Sequence, residues 1–220
     1  MQLALTSLKA RMNYGVRHTV SEWLDRCLLL AVRPSEAERV AATVDSGLIH
    51  AACGGDENAF RKIVECFQPT ISTQMRRFSR DQNVVEDLVH DVFVEAFMSL
   101  GSFKSKSPFE HWLRKIAVRV GYRHWKSEAR EKRQAEKLRD DADAASLVIE
   151  APQNALEARE QLHVMLSKLA PRDRLVLTLL YWDGHSVAEA AKLAGWTQSL
   201  VKVQAHRARK RLKKLLEQVQ

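Results

Sequence analysis

Residues 202–214 place Lys202, His206, Arg207, Arg209 and Lys210 on a segment that carries seven Lys/Arg and no acidic residue. Cations at helical spacing beside the polar side chains of Gln198 and Ser199 are the groups that hold phosphates and reach base edges in a DNA groove. The residues just upstream supply what must position them. Ser186-x-x-Glu189 is a capping box that starts a helix. Val187, Ala190, Ala191 and Leu193 give that helix a small-residue face, and Gly195 suits the left-handed cap that ends it. Thr197 can cap the next helix, whose inner side is Val201, Ala205, Ala208 and Leu212. Helix, glycine turn and one-sidedly basic helix make a helix-turn-helix, which would offer Gln198, Ser199, Lys202, Val203, His206, Arg207 and Arg209 to duplex DNA. A plain pair of surface helices is the alternative; capping, small-residue packing and one-sided basicity together favour the DNA reader.

A second basic stretch has a different chemistry. Residues 104–139 carry twelve Lys/Arg against four Asp/Glu, and aromatic rings are interleaved with the cations. Arg119, Arg123, Lys126 and Arg130 alternate with Tyr122 and Trp125. Cations that track phosphates next to rings that stack on unpaired bases suit single-stranded or distorted DNA. Trp112 belongs to the apolar stripe of Leu113 and Ile116 and reads as core. For Tyr122 and Trp125, packing and nucleic-acid contact both fit. An acidic break at Asp140, Asp141, Asp143 and Glu150 separates the two basic blocks, as expected for two contacts with one polyanion.

One helix face is acidic: Glu86, Asp87, His90, Asp91 and Glu95 oppose the apolar set Val85, Leu88, Val92, Phe93 and Ala96. Asp87, His90 and Asp91 could approach a cation, but the pattern reads as a solvated or protein-docking face, and no metal is expected. There is no glycine-rich phosphate loop, nucleophile elbow or HExxH, and the histidines do not cluster, so neither an enzyme nor a cofactor is expected.

Composition sets the outer bounds. The 220 residues, 45% hydrophobic with a net charge of +8, are enough for two small domains and point to an anionic partner. Cys27, Cys53 and Cys66 show neither a disulfide framework nor zinc-ligand spacing. No apolar run spans a bilayer and residues 1–20 hold no signal-peptide core, so a cytoplasmic protein without membrane insertion is expected.

The periodicity is helical throughout and predicts an all-α chain of two small helical domains. Residues 1–46 form an extension with one amphipathic helix over 21–32 and no readable role; an added partner contact and plain disorder both fit. Residues 47–130 form a helical bundle, in which Asp56 starts a helix, Pro69 interrupts or restarts it, a second helix begins near Val84, and Ser107-Pro108 opens a long third. Residues 131–156 read as a flexible linker, and residues 157–220 carry the helix-turn-helix.

Two separated segments resemble the bacterial sigma-70 family of RNA polymerase sigma factors, in its extracytoplasmic-function (ECF) class. Asp87-Leu-Val-His-Asp-Val-Phe-Val-Glu-Ala-Phe97 is similar to the family's core-polymerase-binding helix, usually written DLVQEVFLKAW, and Phe109-Glu-His-Trp-Leu-Arg-Lys-Ile-Ala117 to its FxxWLxxIA segment. Leu169-Ala-Pro-Arg-Asp-Arg-Leu-Val-Leu177, followed by Val201-Lys202 and His206-Arg-Ala-Arg-Lys-Arg-Leu212, resembles its −35-reading domain. The motifs occur in the family's order over about two-thirds of the chain, without room for the middle domain of larger sigma factors. The departures are His90-Asp91 for the usual Gln-Glu, Arg119 for a frequent Asn, Arg123 for a common Asp, and Gln204 for a basic or small polar residue.

The resemblance implies the sigma region 2 bundle over 47–130 and the region 4 helix-turn-helix over 157–220. It implies core-polymerase binding by Asp87, His90, Asp91 and Glu95, and −10 recognition and melting by Arg119, Tyr122, Arg123, Trp125, Lys126 and Arg130. It assigns −35 recognition to Gln198, Ser199, Lys202, Val203, His206, Arg207 and Arg209. Core RNA polymerase, promoter DNA and an anti-sigma factor are the implied partners. An autonomous helix-turn-helix regulator with an N-terminal sensing domain is the alternative. A linker of roughly 26 residues reaches ~85–90 Å fully extended, enough to join promoter elements roughly 35–70 Å apart.

Overall fold

A computed structural model describes residues 46–137 and 155–217, and every regular element among them is helical. The expected all-α architecture of two helical domains is what the chain adopts. The amphipathic helix read over 21–32 lies outside the described residues.

The first domain is built from α1 (Ser46–Cys53), α2 (Glu57–Met75), α3 (Gln82–Ser99) and α4 (Phe109–Lys137). Asp56 caps α2 by accepting from the backbone N–H groups of Asn58 and Ala59, which lack partners in the first helical turn. Asp81 caps α3 through the N–H of Asn83, so the helix begins at Gln82, two residues before the expected start. Pro69 does not interrupt α2, which runs through it to Met75. The stripe Ala59, Ile63, Phe67, Ile71 and Met75 is buried on both sides of the proline, so tertiary burial of about 2 kcal/mol per large side chain outweighs a missing helical donor. These residues pack against Val85, Leu88, Val92 and Ala96 of α3 and Leu113, Ile116 and Val120 of α4.

Where α4 crosses Phe78 there is room for no side chain: a Cβ on Gly121 would lie 2.3 Å from Phe78 Cδ1. The glycine lets the Phe78 ring reach Trp125, at 4.5 Å between ring centres, and the Trp125 indole N–H donates to the Phe78 carbonyl at 2.7 Å. The helix continues to Lys137, seven residues into the stretch expected to be linker. Strong helix formers from Glu128 to Lys137 explain the extension.

The second domain holds α5 (Ala155–Ser167), α6 (Pro171–Leu177), α7 (Val187–Ala194) and α8 (Gln198–Glu217). Pro171 sits at the start of α6, where its missing N–H costs nothing. One π turn, Thr178–Trp182, extends α6. The Ser186–Glu189 capping box forms in both directions, and Gly195 adopts φ +70°, the left-handed cap that turns the chain into α8. Between the described helices lie positions 138–154, 17 residues with an extended reach of ~56–61 Å. That is shorter than the sequence-based span and still exceeds one duplex turn.

Candidate nucleic-acid and partner interfaces

The core of the helix-turn-helix decides which face of α8 is free. Val201, Ala205, Ala208 and Leu212 are buried, as the spacing predicts. Gln204 joins them: its amide donates to the carboxylate of Asp173, which is itself fully buried and also pairs with Arg211. Asp173 lies in the first turn of α6, where the helix dipole favours a negative charge. This carboxylate fixes the rotation of α8 about its own axis from two positions seven residues apart. Gln198, Ser199, Lys202, Val203, His206 and Arg207 all remain exposed on the opposite face, and Arg209 is half-buried at its edge. Thr197 caps the helix through the Leu200 N–H at 3.2 Å.

On α3, Asp87, His90 and Asp91 are exposed together. The same face carries three exposed apolar side chains that the acidic pattern does not reveal: Val94, Phe97 and Met98, at 42%, 50% and 81% exposure. They follow Asp87 by seven, ten and eleven residues, so helical geometry alone places them beside it. Exposed apolar groups with a charged rim mark a docking surface. Glu95 belongs elsewhere. It is half-buried and pairs with Arg119 and, at 3.1 Å, with Arg123, joining the expected docking and −10 residues in one cross-helix network.

The −10 candidates on α4 divide sharply. Arg119, Arg123, Lys126 and Arg130 are exposed. Tyr122 is half-buried, edge-on to Trp196 at 6.1 Å, with the Lys126 ammonium 5.9 Å from its ring centre. Trp125, expected to face DNA, is instead interior at 1% exposure; between packing and base stacking, packing holds. Its second face is covered by Arg174 of the other domain, whose guanidinium lies 4.0 Å from the ring centre.

That contact belongs to an interface between the two domains. Arg77 pairs with Asp183 at 2.7 Å, Arg80 with Glu160 at 2.7 Å, and Arg174 with Glu128 at 3.7 Å. Burial pushes the Arg174 guanidinium down to about 10, with Glu128 opposing, so it stays charged. His163 faces Arg174 at 3.3 Å; burial first, then Arg174 and Arg80, push its imidazole down to about 4. Cys53 and Cys66 are free thiols, and no group of metal-ligating side chains occurs among the described residues. No described helix is long and apolar enough to cross a membrane.

Comparison with known proteins matches both domains. Residues 63–131 fit the model of sigma-70 region 2 and residues 159–212 that of sigma-70 region 4. The RNA polymerase sigma factor CnrH of Cupriavidus metallidurans is 30% identical over 84% of this chain and 97% of its own. The chain belongs to the sigma-70 family. An ECF RNA polymerase sigma-E factor of Escherichia coli is 26% identical over 75% of this chain and 90% of its own, in keeping with the ECF class. Among solved structures, CnrH in complex with the cytosolic domain of CnrY covers 79% of this chain and 97% of that chain, with a TM-score of 0.50 and 27% identity. As a sigma factor, the protein acts in transcription initiation. The region 2 match thus runs from within α2 through α3 into α4, and the region 4 match from within α5 into α8.

Proposed function

We propose that this ECF sigma factor binds core RNA polymerase through the exposed face of α3 and directs it to promoters with paired −10 and −35 elements. Asp87, His90 and Asp91 give that face its charge, and Val94, Phe97 and Met98 give it an apolar centre to bury. Arg119, Arg123, Lys126 and Arg130 track the −10 phosphates, with the Tyr122 ring available for an unstacked base once Trp196 moves aside. Trp125 has a structural part here, holding α4 on Phe78. The exposed face of α8 enters the −35 major groove and reads it with Gln198, Ser199, Val203 and His206, while Lys202, Arg207 and Arg209 meet the backbone.

The protein performs no covalent step and works in the cytoplasm, where the polymerase is. A CnrY-like regulatory partner is part of the reading, because the matched CnrH structure is a complex with the cytosolic domain of CnrY; here it would act as an anti-sigma factor.

The observation that carries the proposal is the pairing of a mixed apolar and acidic docking face with an unobstructed basic recognition helix, one on each sigma domain. Core binding is tested by replacing Asp87 and Asp91 together with Ala. Both are exposed, so the fold persists, and a pull-down with core polymerase is expected to show affinity lowered about tenfold or more, as for loss of rim charges at an interface. Unchanged affinity would remove α3 from the docking role.

A further inference from the structure

Val203 is the one large apolar side chain so exposed in the described part of region 4, at 47%; the other three, Val94, Phe97 and Met98, sit together on α3. It is the sixth residue of α8, between exposed Lys202 and His206 and one turn beyond exposed Ser199. A single exposed valine is ordinary on a protein surface. Two features of α8 separate this one from that background.

The first is its place on the face left open by the helix-turn-helix core. The second is the withdrawal of Gln204. A glutamine in the middle of a recognition helix would be the natural bidentate reader of adenine. Here its amide is committed to the buried Asp173 carboxylate and is 7% exposed. The central turn therefore turns outward only a cation and an isopropyl group. Valine has no donor or acceptor, so it cannot select a base by hydrogen bonding. It is also stiff: β-branching leaves one strongly preferred χ1 rotamer in a helix, so its methyls stand in fixed positions. The major groove presents a single apolar feature, the C5-methyl of thymine.

We propose that Val203 is a specificity-determining residue that packs on the C5-methyl group of one thymine in the −35 element. The proposal rests on α8 being the −35 reader and sharpens it, by assigning one base pair of the target to methyl contact. Lys202 and Arg207 hold the adjoining phosphates, which brings the helix close enough for van der Waals contact. The recognised group is the methyl, so 5-methylcytosine at that position is an acceptable replacement for thymine and unmodified cytosine is not.

The test uses holoenzyme assembled from core polymerase and the full chain, carrying either the natural residue or Val203→Ala. Each is challenged with a promoter library randomised across the −35 element. The natural protein is expected to enrich a motif with thymine fixed at one position on either strand, and Val203→Ala to lose the preference there alone. Alanine at an exposed helical site favours the helix, so folding is retained.

On the selected promoter, deoxyuridine in place of that thymine removes only the methyl. Initiation by the natural protein is expected to fall about fourfold, the value of one buried methyl-sized group. Val203→Ala is expected to ignore the change, and 5-methylcytosine to restore the natural protein over cytosine. An enriched motif with no methyl-dependent position, or an equal deoxyuridine effect on both proteins, overturns the role of Val203 and leaves α8 as the reader. No enriched motif with the natural protein overturns both.

Discussion

At the scale of single residues, the side chain that most needed a structure is Gln204. By sequence it sits among groups that read DNA, and its amide is well suited to that work. In the fold it faces inward and donates a hydrogen bond to the buried carboxylate of Asp173, whose charge Arg211 pairs. Replacing Gln204 with Leu leaves one oxygen of a buried carboxylate without its donor, which costs about 1–3 kcal/mol. A clear fall in thermal midpoint is expected, together with an unchanged preferred −35 sequence. A changed preference would show that Gln204 reads a base. Most of the site is legible without coordinates because a capping box, a left-handed glycine and a period of 3.6 leave only one outward face. The Asp173 network stayed hidden because its partners are 31 and 38 residues apart, and no local pattern links them.

At the scale of the helices, α4 has a basic outer face and a buried inner one, and Trp125, for which the sequence leaves packing and nucleic-acid contact both open, lies on the inner one. Trp125 follows Gly121 by four residues and Val118 by seven, and both are buried. The basic residues around it suit DNA, while the stripe that seats it contains a glycine and reads weakly as apolar. Gly121→Ala is the direct test of that seating. Helix propensity alone would favour alanine by about 1 kcal/mol, but the added Cβ meets the Phe78 ring and overpacking costs about 1–3 kcal/mol. The account expects a thermal midpoint lowered by several degrees; a raised midpoint would mean that Phe78 does not close over Gly121. Helix ends were the least legible feature. α4 outruns the expected boundary because its charged tail is rich in helix formers, and α2 passes Pro69 because its buried stripe continues on the far side.

At the scale of the whole molecule, the two surfaces proposed to read the promoter stand in different states. The α8 face is open, whereas part of the α4 face lies under region 4, with Trp196 against Tyr122 and Arg174 over Trp125. Sequence order alone could not show this, because the contacts join segments far apart in the chain. On the proposed reading, an unstacked −10 base reaches the Tyr122 ring only once Trp196 moves aside, and the interface between the domains holds a pH-sensitive element.

His163 has an ordinary value near 6.5 when unfolded and about 4 in the fold. Between these values the unfolded chain takes up a proton that the folded one refuses, so stability falls as pH drops from about 6.5 toward 4. Glu160 and Glu128 lie in the same interface, so the contribution of the imidazole is isolated by His163→Gln. That variant is expected to show a shallower loss of thermal midpoint over this window, and an identical slope would place His163 in solvent.

The central claim is that one chain supplies both halves of promoter recognition to a polymerase that lacks them. Run-off transcription with purified core polymerase tests it most directly, on templates selected by the holoenzyme, with and without this protein. Specific initiation is predicted only when both are present, and it should disappear when either the −10 or the −35 element of the template is replaced. Tight operator binding by the protein alone, with no specific transcript from the mixture, would contradict the account and identify an autonomous regulator.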